Sequence, residues 1–163
     1  MPDVAVIHGS CVAVDGHGVL LLGQSGSGKS DLVLRLIDHH GSGTSGRLRA
    51  IRLVADDQVV ITRLGSSLVA SAPAALAGKL EVRGLGIVTV PALAEVALDL
   101  VVRLTPAAEI ERLPDLETSR FDILGAALPL ILIDPEKPSA AARIRAALDH
   151  LGPREWHVAS LRR

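Results

Sequence analysis

The sequence predicts an α/β domain built on a mixed, strand-rich sheet, and three observations carry that prediction. Short β-branched and apolar runs, bounded by Gly, Ser, Asp and Pro, fill the first two thirds of the chain. Only two segments, 29–40 and 137–151, place apolar residues at helical spacing. Strands and helices do not alternate one for one, so a regular βαβ array is not expected. The 163 residues show no internal repeat and no interdomain linker. One unit is therefore expected over 1–152, followed by a basic tail over 153–163 that carries Trp156.

Val4–His8, Cys11–Val14 and Gly18–Leu22 read as strands, with Asp15-Gly16 as the hairpin turn between the last two. Lys29 to His40 is a helix with a broad buried face, and Gly41-Ser42-Gly43-Thr44-Ser45-Gly46 stops it. That stretch is expected to be the most flexible of the chain. Ile51–Ala55 and Gln58–Leu64 are strands on either side of Asp56-Asp57, and Gly65-Ser66-Ser67 turns the chain into Leu68–Ser71. Lys79–Arg83, Gly86–Val90 and Leu98–Leu104 are further strands, with Pro73–Ala77 and Ala92–Val96 as short helical pieces. Phe121–Leu124 and Leu128–Ile133 form a last strand pair. Lys137 to Leu151 is a helix opened by Pro138 and Ser139 and closed by Gly152-Pro153.

Composition removes several functional classes. Hydrophobic residues make up 48% and charged residues 21%, a globular balance rather than a disordered one. Lys and Arg total 17 against 18 Asp and Glu, a net charge of -1, so no bulk attraction draws the chain to nucleic acid or to an anionic membrane. Aromatic content of 1% leaves no platform for base stacking. The apolar run Ala126–Ile133 is interrupted by Pro129 and far shorter than a span of ~20 residues. The N-terminus lacks the basic and apolar regions of a signal peptide, and Cys11 stands alone, so a cytoplasmic protein without disulfides is expected. His17, His39, His40, His150 and His157 have no zinc-ligand spacing with Cys11.

The strongest chemical signal is Gly23-Gln24-Ser25-Gly26-Ser27-Gly28-Lys29-Ser30, a complete G-x-x-x-x-G-K-[ST] phosphate loop. Glycines let the backbone curl so that successive N–H groups face phosphate oxygens. Lys29 supplies a point charge to the β- and γ-phosphates, Ser30 a hydroxyl ligand for Mg²⁺, and the helix start a partial positive charge. The context fits, because the apolar run Val19–Leu22 precedes the loop and a helix follows. ATP and Mg²⁺ are the expected ligands.

Other residues are more ambiguous on spacing alone. Asp56 and Asp57 follow an apolar run, and strand alternation points them in different directions, one suited to accepting a proton from a hydroxyl and the other to orienting metal-bound water or an arginine. A plain acidic turn accounts for them equally well. Glu81 and Arg83 share one face of a strand beside two glycines. Glu81 can reach a metal near Ser30, although a solvated pair on an edge strand is the simpler account. His8 ends a strand, where a lone histidine is more often structural. Cys11 reads as a small core residue.

Taken together these segments resemble the catalytic domain of bacterial HPr kinase/phosphorylase. The likeness covers roughly residues 4–134 and runs in order through His8-Gly9, GQSGSGKS (23–30), RLVADD (52–57), LEVRGLGIVTV (80–90) and Glu111-Arg112-Leu113. LEVRGLG is its most diagnostic string. The resemblance implies a P-loop fold like that of phosphoenolpyruvate carboxykinase and a homo-oligomer, a hexamer in the family. It implies that Gly23–Ser30 bind ATP, that Ser30 and Glu81 hold Mg²⁺, and that Asp56 deprotonates a serine hydroxyl on HPr. In the reverse reaction Asp56 would serve as the acid when phosphoserine is attacked by inorganic phosphate. His8 and Arg112 fall on the family's other catalytic positions, with Arg112 near Asp57. The short form is similar to alphaproteobacterial members that lack the N-terminal domain. The family's late Gly-Arg-Asn segment is replaced here by Asp134-Pro135-Glu136-Lys137-Pro138-Ser139. From the residues alone, an ATP sensor that transfers no phosphate and a kinase of another hydroxyl remain open.

Overall fold

The structure, a computed structural model, describes residues 3–39 and 41–151. Eleven strands and two helices follow in the order β1 (Val4–His8), β2 (Ser10–Val14), β3 (His17–Leu22), α1 (Lys29–Asp38), β4 (Ile51–Ala55), β5 (Gln58–Leu64), β6 (Ser67–Ser71), β7 (Lys79–Val82), β8 (Gly86–Thr89), β9 (Glu95–Leu104), β10 (Arg120–Ile123), β11 (Ala126–Ile133) and α2 (Ala140–Leu151). Nine strands form one sheet in the order β1-β5-β6-β9-β3-β2-β4, with β11 also on β9 and β10 on β11. The β3–β9 and β9–β11 pairs are parallel and the other pairs of this sheet are antiparallel, so the sheet is mixed as predicted. β7 and β8 make a separate antiparallel hairpin.

Alternation along β2 and β3 splits the interior into two cores. Val12, Val14, Val19 and Leu21 face α1 and α2 through Leu32, Val33, Leu36, Ile144 and Leu148. Cys11, Ala13, Leu20 and Leu22 face the other way, onto Val59, Ile61, Leu68 and Ala70 of β5 and β6. Both faces of β2 and β3 are thus buried, which is why these strands read as continuous apolar runs rather than alternating ones. The Asp15-Gly16 hairpin forms as expected, with both residues at positive φ, 48° and 81°, and Val14 paired with His17.

Several boundaries shift. Ala92–Val96 is not helical. Ala92 bridges Leu53 and the Leu93 N–H donates to the Leu53 carbonyl at 2.9 Å, so the chain is extended before β9 begins at Glu95, where residues 95–97 pair with β6. The last pair is longer than predicted and turns at Leu124-Gly125, and Pro129 marks where β11 leaves β10 for β9. α1 ends at Asp38 because His39 is extended, and His40 lies outside the described residues. α2 starts at Ala140, after a turn over Pro135–Ser139. The Gly152-Pro153 stop and the 153–163 tail with Trp156 also lie outside the described residues.

The glycine-rich stretch after α1 is pinned rather than loose. The Thr44 and Ser45 N–H groups donate to Asp149 Oδ2 at 3.0 and 3.1 Å, and buried Arg49 donates twice to Asp149 Oδ1, at 3.1 and 2.7 Å. Arg145, also buried, donates to the carbonyls of Leu36 and His39. Composition reads this segment as flexible, and long-range polar contacts from α2 overrule it.

Candidate active site

The phosphate loop leaves β3 at Leu22 and enters α1 at Lys29. Gly26 and Gly28 take φ of 77° and 99°, backbone open to glycine at little cost, and Gly28 caps the helix by accepting the Leu32 N–H at 3.0 Å. Lys29 is almost fully buried, its ammonium donating to the Gly23 and Gln24 carbonyls at 2.8 Å each and reaching Ser27 Oγ at 3.4 Å. Burial lowers its pKa, and the nearby Asp56 and Asp57 carboxylates oppose that shift. The cation is therefore held poised, coordinated by the loop's own carbonyls.

Two sharp corners bring the remaining groups together. At Gly9 the chain passes from β1, paired with β5, into β2, paired with β3 and β4. A side chain there would press on the Leu21 carbonyl oxygen at 2.8 Å. At Asp57 the chain passes from β4 into β5 through a γ-turn, with φ of 68° and the Gln58 N–H donating to the Asp56 carbonyl at 2.8 Å. The corners are stitched to each other, since the Gly9 N–H donates to the Asp57 carbonyl at 3.0 Å. His8, Ser10, Asp56 and Asp57 thereby share one floor. The strained turn at Asp57 is the acidic turn and the site at once.

The two aspartates diverge as expected, but by the turn rather than by strand alternation, since β4 ends at Ala55 and β5 starts at Gln58. Asp56 is buried and accepts from Ser10 Oγ at 2.8 Å, from Ser30 Oγ at 2.9 and 3.0 Å, and from the Glu81 N–H at 3.3 Å. Asp57 is exposed, its Oδ1 3.4 Å from His8 Nδ1. His8 Nδ1 also lies 3.0 Å from the Asp57 carbonyl oxygen. A carbonyl only accepts, so Nδ1 is the donor in that contact.

These residues line an open cleft of about 920 Å³ together with Ser25–Ser30, Asp31, Leu34, Arg35, Glu81, Val82, Arg83, Pro135 and Glu136. The expected His8, Lys29, Ser30, Asp56, Asp57 and Glu81 are all among them. Gly23 and Gln24 do not line it, and their carbonyls accept from Lys29 Nζ. Arg112 does not join them. It is exposed, lies in the connection between β9 and β10, and does not line the cleft. Sequence reasoning passed over Ser10, whose signal is one hydroxyl opening a wholly buried strand. It also passed over Arg35, which donates to the Pro135 carbonyl at 2.6 Å and holds the 135–137 turn beside the phosphate loop.

The donor set suits a nucleoside triphosphate with Mg²⁺. Among the described residues no three His, Cys, Asp or Glu side chains cluster tightly enough to cage a metal. A hard cation here would take one or two protein oxygens and complete its shell with phosphate and water, as Mg²⁺ does.

Residues 1–148 match the model of the HPr Serine kinase C-terminal domain. The chain belongs to that family. An HPr kinase/phosphorylase from Chloroherpeton thalassium is 41% identical over 135 residues, covering 76% of this chain and 36% of that protein. One from Prosthecochloris aestuarii is 38% identical over 157 residues, covering 88% of this chain and 43% of that protein. The chain thus spans about two fifths of the length of these family members. The structure of the HPr(Ser) kinase/phosphatase from Coxiella burnetii superposes with a TM-score of 0.74, covering 90% of this chain and 95% of that one at 24% identity, a likeness of fold. Among the described residues no helix is long and apolar enough to cross a membrane.

Proposed function

We propose that this domain transfers the γ-phosphoryl group of Mg-ATP to a serine hydroxyl of HPr or an HPr-like phosphocarrier, and that it runs the reverse phosphorolysis of phosphoserine-HPr. The observation that carries the proposal is the position of Asp56. Its carboxylate is buried, lines the cleft and accepts a hydrogen bond from the hydroxyl of Ser30, the last residue of the phosphate loop. The names of the similar HPr kinase/phosphorylases support HPr as acceptor.

The nucleotide supplies the activated phosphoryl group and the metal screens its charge. The chain's own residues position and neutralise, which is most of what phosphoryl transfer asks of a protein. The loop N–H groups and Lys29 would hold the phosphates, and Lys29 would exchange the Gly23 and Gln24 carbonyls for phosphate oxygens. Ser30 and Glu81 would hold the metal. Asp56 would take the proton from the acceptor hydroxyl as its oxygen bonds to phosphorus, and would return it in the reverse reaction. His8 and Asp57 line the same cleft with their side chains open to solvent. The proposal extends to a cytoplasmic homo-oligomer, which the mass of the particle in solution would read out.

The test is label transfer from γ-labelled ATP to HPr of the same organism, with Asp56→Asn and Lys29→Ala alongside. Label on a serine of HPr, lost in both variants, is the expected result. Bound ATP with no label on HPr would overturn it in favour of a nucleotide sensor or another acceptor.

A further inference from the structure

We propose that Ser10 is a positioning residue for Asp56, selecting which carboxylate oxygen takes the acceptor proton; this rests on the phosphotransfer proposed above. Ser10 is fully buried, yet it opens a strand whose other residues are Cys, Val and Ala. A hydroxyl in such a place is costly unless it is hydrogen-bonded. Its partner is Asp56 Oδ1 at 2.8 Å, 46 residues away in sequence.

The three donors on Asp56 divide unevenly. Ser30 Oγ lies between the two oxygens, 2.9 Å from Oδ1 and 3.0 Å from Oδ2, and expresses little preference. The Glu81 N–H reaches Oδ2 at 3.3 Å, a long contact. Ser10 alone is short and committed to a single oxygen. A proton donated to Oδ1 fixes the rotation of the carboxylate and occupies a lone pair there. Oδ2 is left as the less encumbered oxygen. Ser10 also stands directly after the Gly9 corner, whose N–H is bonded to the Asp57 carbonyl, so its backbone is as rigidly placed as the group it orients. The hydroxyl lines the inner wall of the cleft and is set back from solvent, where it acts through Asp56.

The experiment compares Ser10→Ala and Ser10→Thr with the wild-type chain in steady-state transfer to HPr, measuring kcat and the KM for ATP. With the carboxylate no longer oriented, Ser10→Ala should lower kcat about tenfold, the worth of one ordinary hydrogen bond. Its KM for ATP should stay within about twofold, because the phosphate loop is untouched. Ser10→Thr keeps the hydroxyl and should recover most of kcat. Unchanged kcat in Ser10→Ala, a loss confined to the KM for ATP, or a Ser10→Thr chain no more active than Ser10→Ala would each overturn the assignment. A wild-type chain that binds ATP and transfers no label overturns the phosphotransfer proposal and this one with it. A normal wild type with indifferent Ser10 variants overturns this one alone.

Discussion

Asp149 is the residue whose loss should most clearly expose what holds the chain after α1. Its carboxylate takes four hydrogen bonds, two from Arg49 on Oδ1 and two from the Thr44 and Ser45 backbone on Oδ2. The side chains of Arg49 and Asp149 are 3% and 8% exposed, so the pair is buried. Removing one partner of a buried pair costs about 3–5 kcal/mol, chiefly through the charge left behind. Asp15 remains 3.5 Å from Arg49 Nη1 and tempers that charge, which puts Asp149→Ala at the lower end, about 3 kcal/mol. With a urea m-value of about 1.5–2 kcal/mol/M, the unfolding midpoint should fall by about 1.5–2 M. Asp149→Asn keeps the shape and one accepting oxygen and should lose about half as much. No residue of 41–50 lines the cleft, so ATP affinity in the folded variant should stay within about twofold of wild type. A midpoint within about 0.5 M of wild type for Asp149→Ala would refute the reasoning. The glycine-rich segment would then be the loose connection its composition suggests.

Three further outcomes follow from the same geometry. Lys29→Met should weaken Mg-ATP binding by about 10- to 100-fold in a calorimetric titration, the worth of a charge-assisted contact, while the melting temperature holds because a desolvated cation is removed. Cys11 is fully buried and burial pushes its thiol pKa up from the ordinary 9.0, so the folded chain keeps a proton that the unfolded chain sheds. That contribution is complete below pH 9.0 and is lost above it, by about 2 kcal/mol between pH 9 and 10.5, and urea midpoints across that range should decline less steeply in Cys11→Ala. Arg35→Ala frees the Pro135–Lys137 turn from α1 and should cost about 1–2 kcal/mol by thermal unfolding, with ATP affinity falling a few-fold because Pro135 and Glu136 line the cleft; unchanged affinity would show that the turn does not shape the nucleotide site.

Much of the fold was legible because its signals are local. β1, β4 and β5 fall where their apolar runs end, and the Asp15-Gly16 turn forms because two adjacent residues can adopt positive φ. Ala92–Val96 misled because Ala, Leu and Glu favour helix, whereas the Leu53 carbonyl and the free edge of β6 were available to an extended chain. The 41–46 segment misled in the same way, since Gly and Ser composition carries no trace of a carboxylate 105 residues away.

The division is sharpest at the site. The amino-acid sequence by itself determined the phosphate loop, the strand before it and the helix after it, because eight contiguous residues carry all the backbone requirements of a phosphate nest. It also placed the Asp56-Asp57 pair between two strands, although the pair diverges because Asp57 sits in a turn at positive φ and not because of strand alternation. Only the tertiary structure decided that Asp56 would be the buried member, gripped by Ser10 and Ser30, and that Asp57 would turn to His8. It also decided that Arg112 would stand outside the cleft and that Arg35 would bind a turn 100 residues later. These outcomes depend on where two corners of a folded sheet meet. Hydrogen bonds across such distances form only once burial has paired the strands that bring them into range.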